Sequence, residues 1–242
     1  MGTIVLVRHG ESLWNREQRF TGWTDIELTP LGVKQARHAG KAIADAGLGF
    51  DAVVTSSLRR ASDSQEHILA MMPTAERLRC IVDWRLNERH YGGLTGMGRA
   101  EAEIIYGTAT VHRWRRGYTS RPPPMNAVLA RRLVSKLSAS SRNEIPFIPR
   151  TESLQDTFHR VAPCWRDTIA PLLRVGSSVL VTAHGNSLRM LVAAIHDTDP
   201  AAFCSMDVPN ATPLVYRLDS KLRIRNVLEL PTGADGRTSL IL

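Results

Sequence analysis

The sequence of 242 residues contains few cysteines and no long apolar run. The three cysteines, Cys80, Cys164 and Cys204, are far apart and form no Cys-x-x-Cys pair. We therefore expect reduced thiols that serve as packing residues rather than a disulfide framework. No apolar segment approaches the roughly 18 residues of a membrane-spanning helix, and the N-terminus lacks the features of a secretory signal. No group of histidine, cysteine and carboxylate residues has the spacing typical of a metal site. These absences predict a cytoplasmic protein with no membrane partner and no metal.

Acidic residues are missing from one long stretch, because no aspartate or glutamate occurs between Ile104 and Asn143. The basic residues of this stretch are Arg113, Arg115, Arg116, Arg121, Arg131, Arg132, Lys136 and Arg142. The formal net charge of +8 is therefore locally concentrated. Such a stretch could attract an anionic small molecule or a nucleic acid, or it could be a solvated face without a partner. No nucleic-acid-binding motif is present, which favours a small anion as the partner over nucleic acid.

Strand and helix patterns alternate along the chain without any internal repeat. Apolar, β-branched runs predict strands at 3–7, 51–56, 79–82, 178–183 and 213–218. Helical spacing predicts helices at 30–47, 58–72, 154–169 and 188–195. Thr29 is expected to cap the first of these helices, and Pro163 should disturb the third.

This alternation predicts an α/β fold with a mainly parallel central sheet flanked by helices on both faces. The length suits a single domain over residues 1–242. A long insertion is expected at about 96–150, and its proline-rich middle at 121–125 should be non-helical.

Two of the predicted strands end in the same dipeptide. His9-Gly10 follows the first strand, and His184-Gly185 follows the strand at 178–183. Because the carboxyl ends of parallel strands meet at one edge of a sheet, we expect both histidines at a single site.

The residue types at this edge suit phosphoryl transfer through a phosphohistidine. A neutral imidazole such as that of His9 can attack phosphorus without first losing a proton. Arg8, Arg60 and His184 are suited to holding the phosphoryl oxygens. Glu88 is the candidate for delivering a proton to the leaving oxygen or removing one from the incoming hydroxyl.

A resemblance to a known family is carried by the segments 6–12, 14–15, 19–23, 86–92, 114–117, 183–189 and 213–216. From residue 3 to about 218 the chain resembles the cofactor-dependent phosphoglycerate mutases of the histidine phosphatase superfamily. The resemblance implies interconversion of 2- and 3-phosphoglycerate in glycolysis and gluconeogenesis, primed by 2,3-bisphosphoglycerate and without a metal. It implies a homo-oligomer, either a dimer or a tetramer, with His9 phosphorylated and Glu88 as the proton donor and acceptor. It also implies substrate contacts by Asn15, Thr21, Gly22, Arg89, His90, Tyr91, Arg99, Arg115, Arg116, Gly185 and Asn186.

Three features depart from the family pattern. Arg99 stands where the family usually has lysine, which keeps the charge but changes the geometry of a substrate contact. The stretch 122–150 does not follow the family sequence, and the chain ends soon after Leu230. A lid excludes water from a reactive intermediate, so a shorter tail favours hydrolysis. A phosphohistidine-type phosphatase acting on a small phosphorylated metabolite is therefore the alternative.

Overall fold

A computed structural model describes residues 1–72, 78–140, 145 and 147–232. Within these residues one sheet has the strand order β3-β2-β4-β1-β5-β6. The strands are β1 (Gly2–Arg8), β2 (Ala52–Thr55), β3 (Arg79–Val82), β4 (Ser178–Ala183), β5 (Pro213–Leu218) and β6 (Ile224–Glu229). The first four are mutually parallel, whereas β5 runs antiparallel to β1 and β6 antiparallel to β5. The prediction of a mainly parallel sheet is confirmed, and β6 is an additional edge strand.

Helices cover both faces of this sheet, as predicted. They are α1 (Leu13–Arg16), α2 (Pro30–Asp45), α3 (Arg59–Leu69), α4 (Arg99–Tyr106), α5 (Thr108–Arg116), α6 (Ala127–Ser140), α7 (Leu154–Cys164), α8 (Ala170–Arg174) and α9 (Gly185–His196). Short 3₁₀ helices occur at Trp84–Leu86, Gly92–Leu94 and Pro200–Phe203. Side chains alternate across a strand, so Ile4 and Leu6 of β1 pack with α7 and α9, while Val5 and Val7 pack with α2 and α3.

Local chemistry explains the start of α2 and the end of α7. The Thr29 side chain accepts a hydrogen bond from the Gly32 N–H at 3.0 Å, which caps α2 as predicted. Helix α3 ends at Leu69, earlier than predicted, and Pro73 lies outside the described residues. Pro163 lies in the last turn of α7, and a π-helical turn at Trp165–Ile169 separates α7 from α8. The expected disturbance by this proline is therefore present.

The insertion at about 96–150 contains α4, α5 and α6, which were not predicted from the sequence. Its proline-rich middle is non-helical, as expected. Met125 and Leu133 from this segment pack with Trp23 and Leu58 in a small apolar cluster. The insertion is thus attached to the loop that follows α1.

Two of the three cysteines are buried, whereas Cys80 is exposed. The packing prediction is wrong for Cys80, because β3 is an edge strand whose first two residues face solvent. Across the described parts of the chain, no helix combines the length and the apolar character that crossing a lipid bilayer requires.

Candidate active site

The register of β1 against β4 brings the two histidines together. Arg8 is paired with Ala183, and the His9 N–H donates to the Ala183 carbonyl at 3.0 Å. His9 and His184 therefore leave adjacent strands side by side, with ring centroids 5.0 Å apart. Both residues are buried. One edge of the sheet thus holds both imidazoles, as the repeated dipeptide predicts.

His9 is arranged as a neutral nucleophile. Its Nδ1 lies 2.7 Å from the Gly10 carbonyl, so Nδ1 carries the proton and Nε2 keeps a free lone pair. Burial, with the positive charges of Arg60 and Arg8, holds the pKa of His9 well below 6.5. A side chain at Gly10 would collide with the Gly32 backbone carbonyl, so this tight loop against α2 requires glycine.

Two arginines are fixed beside the imidazoles by backbone carbonyls. The Arg60 guanidinium donates to the carbonyls of Gly22 and Thr24, each at 2.9 Å. Burial lowers the pKa of Arg60 to about 10, so the group keeps its charge at neutral pH. Arg8 donates through one terminal nitrogen to the Val208 carbonyl at 2.8 Å, and its Nε is buried without a partner among the described residues. Donors of this kind are suited to phosphoryl oxygens.

Glu88 is held through only one of its carboxylate oxygens within the described structure. Its Oε1 accepts from the Arg89 N–H at 2.7 Å and from the Asn186 side-chain amide at 2.9 Å. Arg189 donates to the Asn186 side-chain carbonyl at 2.8 Å, which orients that amide toward Glu88. The second oxygen of Glu88 is left available for exchanging a proton with a bound molecule.

A buried ion pair supports the loop that carries Glu88. Arg160 pairs with Glu152 at 2.8 Å, and both side chains are almost fully buried. The same guanidinium donates to the carbonyls of Asn87 at 2.7 Å and Glu88 at 3.0 Å. The Trp23 indole N–H also donates to the Glu88 carbonyl. Arg160 and Glu152 could not be predicted from the sequence, because a single charged pair carries no recognisable pattern before the chain is folded.

Replacing Arg160 by alanine is expected to lower the free energy of unfolding by about 3–5 kcal/mol, because Glu152 would remain buried without its partner. Denaturant unfolding measures this change. The matched control is Arg166→Ala, which breaks an exposed ion pair with Asp167 and should cost about 1 kcal/mol or less. Replacing both Arg160 and Glu152 by methionine should recover only part of the stability and not the activity, since the carbonyls of Asn87 and Glu88 would still lack the Arg160 guanidinium. An Arg160→Ala protein as stable as the wild type would contradict this role.

The side chains of this edge surround a cavity of about 260 Å³. Its lining consists of Arg8, His9, Asn15, Arg19, Phe20, Thr21, Gly22, Arg60, Glu88, Tyr91, Arg99, Arg115, Arg116, Gly185, Asn186, Arg189 and Asp207. Most of the predicted site residues are therefore brought together. The lining also includes four residues that were not predicted, which are Arg19, Phe20, Arg189 and Asp207. The first three lie in the segments 19–23 and 183–189 that carry the family resemblance, and this position could have identified them.

Three predicted site residues do not line the cavity. His184 is fully buried beside His9. Arg89 is also fully buried, donates to the Trp114 carbonyl at 2.6 Å, and lies 4.5 Å from the centre of the Tyr91 ring. The His90 Nδ1 accepts from the Gly92 N–H at 3.0 Å, and burial lowers the pKa of His90 to about 4. Arg89 and His90 thus lie behind the cavity lining, and their contact with substrate stays a prediction.

Comparison with known proteins agrees with this geometry. A family model described as histidine phosphatase superfamily (branch 1) matches residues 4–137 and 129–224. The chain is 45% identical over 227 residues to a 2,3-bisphosphoglycerate-dependent phosphoglycerate mutase from Zymomonas mobilis, covering 92% of this chain and 95% of that protein.

Solved structures show the same fold. A mycobacterial glucosyl-3-phosphoglycerate phosphatase in complex with VO3 has a TM-score of 0.66 at 25% identity, covering 89% of this chain and 92% of that one. The alpha-ribazole phosphatase from Shigella flexneri has a TM-score of 0.65 at 20% identity, with coverages of 92% and 95%. The chain therefore belongs to the histidine phosphatase superfamily and, within it, to the family of 2,3-bisphosphoglycerate-dependent phosphoglycerate mutases.

Proposed function

We propose that this protein interconverts 2-phosphoglycerate and 3-phosphoglycerate through a phosphohistidine at His9. One observation carries the proposal: a neutral imidazole with a free Nε2 lines a small cavity whose charge is strongly positive. Seven arginines and two carboxylates line that cavity, an excess of five positive charges (seven minus two). A small molecule with several negative charges is the ligand that such a cavity favours. The name of the Zymomonas mobilis relative supports phosphoglycerates as that ligand.

The residues divide the chemistry between them. The Nε2 of His9 attacks phosphorus, the bond from phosphorus to the substrate oxygen breaks, and Glu88 gives its proton to that oxygen. In the second half, Glu88 removes the proton of the incoming hydroxyl as its oxygen attacks the phosphohistidine, and the nitrogen–phosphorus bond breaks. Arg8 and Arg60 stabilise the charge on the three phosphoryl oxygens in both halves.

A second group of cations would orient the rest of the substrate. Arg99 begins α4, while Arg115 and Arg116 end α5, and all three line the cavity. Burial and the charge of Arg115 lower the pKa of Arg99, so an anion between the two would relieve their repulsion. The substrate carboxylate, and the second phosphate of the bisphosphate, are the groups we assign to this end of the cavity.

The same residues fit 2,3-bisphosphoglycerate as the priming cofactor. Arg8 Nε and His184 Nδ1 are buried polar atoms without a partner in the described structure, and a phosphoryl group beside His9 would satisfy them. When bound, the bisphosphate supplies the phosphoryl group that first loads His9. The arginines provide the positive charge that this chemistry needs, so the proposal includes no metal.

The biological setting is part of the proposal. Family membership supports a role in glycolysis and gluconeogenesis in the cytoplasm, by a homo-oligomer of two or four chains. We propose one functional domain over residues 1–242, whose insertion at about 96–150 contributes cations to the cavity. No nucleic-acid partner is proposed, because Arg115 and Arg116 of the basic stretch line the cavity.

The direct test is activity on 3-phosphoglycerate with and without 2,3-bisphosphoglycerate, following both 2-phosphoglycerate and free phosphate. We expect isomerisation that depends on the bisphosphate and far outruns phosphate release. Phosphate release faster than isomerisation would overturn the proposal in favour of the phosphatase. Residues 233–242, which bear on that alternative, lie outside the described residues.

A further inference from the structure

A serine outside the cavity lining contacts one of the two histidines. Ser56 follows β2, and its hydroxyl oxygen lies 2.7 Å from Nε2 of His184. Both side chains are fully buried. The contact exists because β2 and β4 are parallel neighbours in which Thr55 is paired with Thr182, so the residues after both strands meet.

The hydrogen-bond partners of Ser56 indicate the direction of this contact. The Leu58 N–H donates to the Ser56 oxygen at 3.3 Å. Within the described structure, His184 Nε2 is the only acceptor in reach of the serine proton. If the histidine donated instead, the buried serine hydroxyl would be left without an acceptor. The serine therefore donates, and the proton of the neutral His184 ring is on Nδ1.

The protonated Nδ1 of His184 is a hydrogen-bond donor close to His9. Nδ1 of His184 is buried and has no partner among the described residues, although its ring lies 5.0 Å from that of His9. An unsatisfied buried N–H costs free energy unless a ligand accepts it. The phosphoryl group transferred to His9 is the ligand adjacent to this position.

We infer that Ser56 is a positioning residue, which holds His184 in the tautomer that presents an Nδ1–H donor to the phosphoryl group. The two histidines have the same tautomer but different roles. His9 donates a hydrogen bond from Nδ1–H, which leaves its Nε2 available for attack. His184 accepts a hydrogen bond at Nε2, which leaves its Nδ1–H available as a donor. This inference rests on the proposed function, since it requires a phosphoryl group at His9.

The surroundings of His184 make a tautomer more useful than a charge. The charged or titratable groups that act on it electrostatically are Arg60 from α3, Arg8 and His9 from the end of β1, and Arg160 from α7. None of them is negative, and together with burial they hold the pKa of His184 well below 6.5. An uncharged N–H donor is therefore available here at neutral pH, whereas an imidazolium would be costly.

The first measurement is the nitrogen NMR spectrum of protein labelled at histidine, with the His184 signals assigned by their loss in His184→Asn. We expect a protonated Nδ1 and an unprotonated Nε2 at neutral pH without substrate. A proton on Nε2 would overturn the inference. Because this measurement uses no substrate, its result is independent of whether the protein proves to be a mutase.

The second measurement is kinetic and compares Ser56→Ala with Ser57→Ala. The Ser57 hydroxyl donates to the Asn87 side chain at 2.9 Å and touches neither histidine, so its loss should leave kcat nearly unchanged. Ser56→Ala should lower kcat by about 10- to 100-fold with little change in KM, less than the roughly 100- to 1000-fold typical of losing a whole transition-state donor. Thermal unfolding of both variants records the cost of the Leu58 N–H left unpaired.

The pH profile tests whether Ser56 acts on the tautomer of His184 or on its charge. Because the pKa of His184 lies well below 6.5, the ring stays neutral between pH 6 and 8, so the deficit of Ser56→Ala should not change with pH over this range. Ser56→Cys, which retains a weak donor, should recover part of the rate. A deficit that changes steeply between pH 6 and 8, or no deficit at all, would overturn the inference. Absence of mutase activity in the wild type would instead refute the proposed function and leave the NMR result standing.

Discussion

Replacing His9 by alanine is expected to lower kcat by about 10⁵-fold or more, the scale of losing a nucleophile. The reason is that the Nε2 of His9 is the free lone pair that we assign to the attack on phosphorus. The arginines would still bind substrate, so KM should change much less than kcat. Steady-state kinetics and transfer of radiolabelled phosphate from 2,3-bisphosphoglycerate to the protein measure both effects.

The matched control for this experiment is His159→Ala, because His159 is an exposed histidine on α7. It should keep wild-type activity and wild-type labelling. The label on the wild type should be lost in acid and kept in alkali, as a phosphohistidine is. Undiminished labelling of His9→Ala would place the nucleophile elsewhere and contradict the mechanism.

Replacing Glu88 by glutamine should lower kcat by about 10²- to 10⁴-fold, which is the range for removing a general acid and base. The geometry allows glutamine to replace glutamate without losing the hydrogen bonds that hold the side chain. Only Oε1 of Glu88 is held by hydrogen bonds in the described structure, from the Arg89 N–H and Asn186, and a glutamine oxygen could accept the same two. The lost property is therefore the exchangeable proton on the other oxygen.

A change of leaving group tests that assignment. Nitrophenolate leaves without needing a proton, so the initial burst of nitrophenolate from p-nitrophenyl phosphate should be nearly as fast in Glu88→Gln as in the wild type. With phosphoglycerate, phosphorylation of His9 should be slow. Glu66→Gln, at an exposed position on α3, serves as the control and should behave as wild type. Equal losses with both leaving groups would mean that Glu88 acts in binding and not in proton transfer.

The central part of the fold and of the site could be predicted from the sequence because its signals are local. β1 and β4 are apolar runs that need no partner to be recognised, and each is followed directly by His-Gly. Once two such strands are taken as parallel, the meeting of His9 and His184 follows from sheet geometry alone. The capped start of α2 at Thr29 is equally local.

The parts that could not be predicted depend on contacts between distant residues. β6 escaped prediction because it is an edge strand whose Arg225 and Asn226 are exposed, so it lacks an apolar run. Ser56 acquires its role only from the register of β2 against β4. Arg160 gains its role from carbonyls more than seventy residues earlier in the chain, on a loop whose path a sequence pattern does not specify.

The strand order has a consequence for synthesis on the ribosome. β1 lies between β4 and β5, so neither of its hydrogen-bonded neighbours exists when it is made. The pairing of Arg8 with Ala183 can form only after the ribosome has added 175 further residues (183 minus 8). At about 5–20 residues per second this delay is on the order of 10–30 s. During that time the apolar strand next to the future nucleophile lacks both of its sheet neighbours. We therefore expect translation pauses before β4 to increase aggregation, whereas pauses after β5 should have little effect.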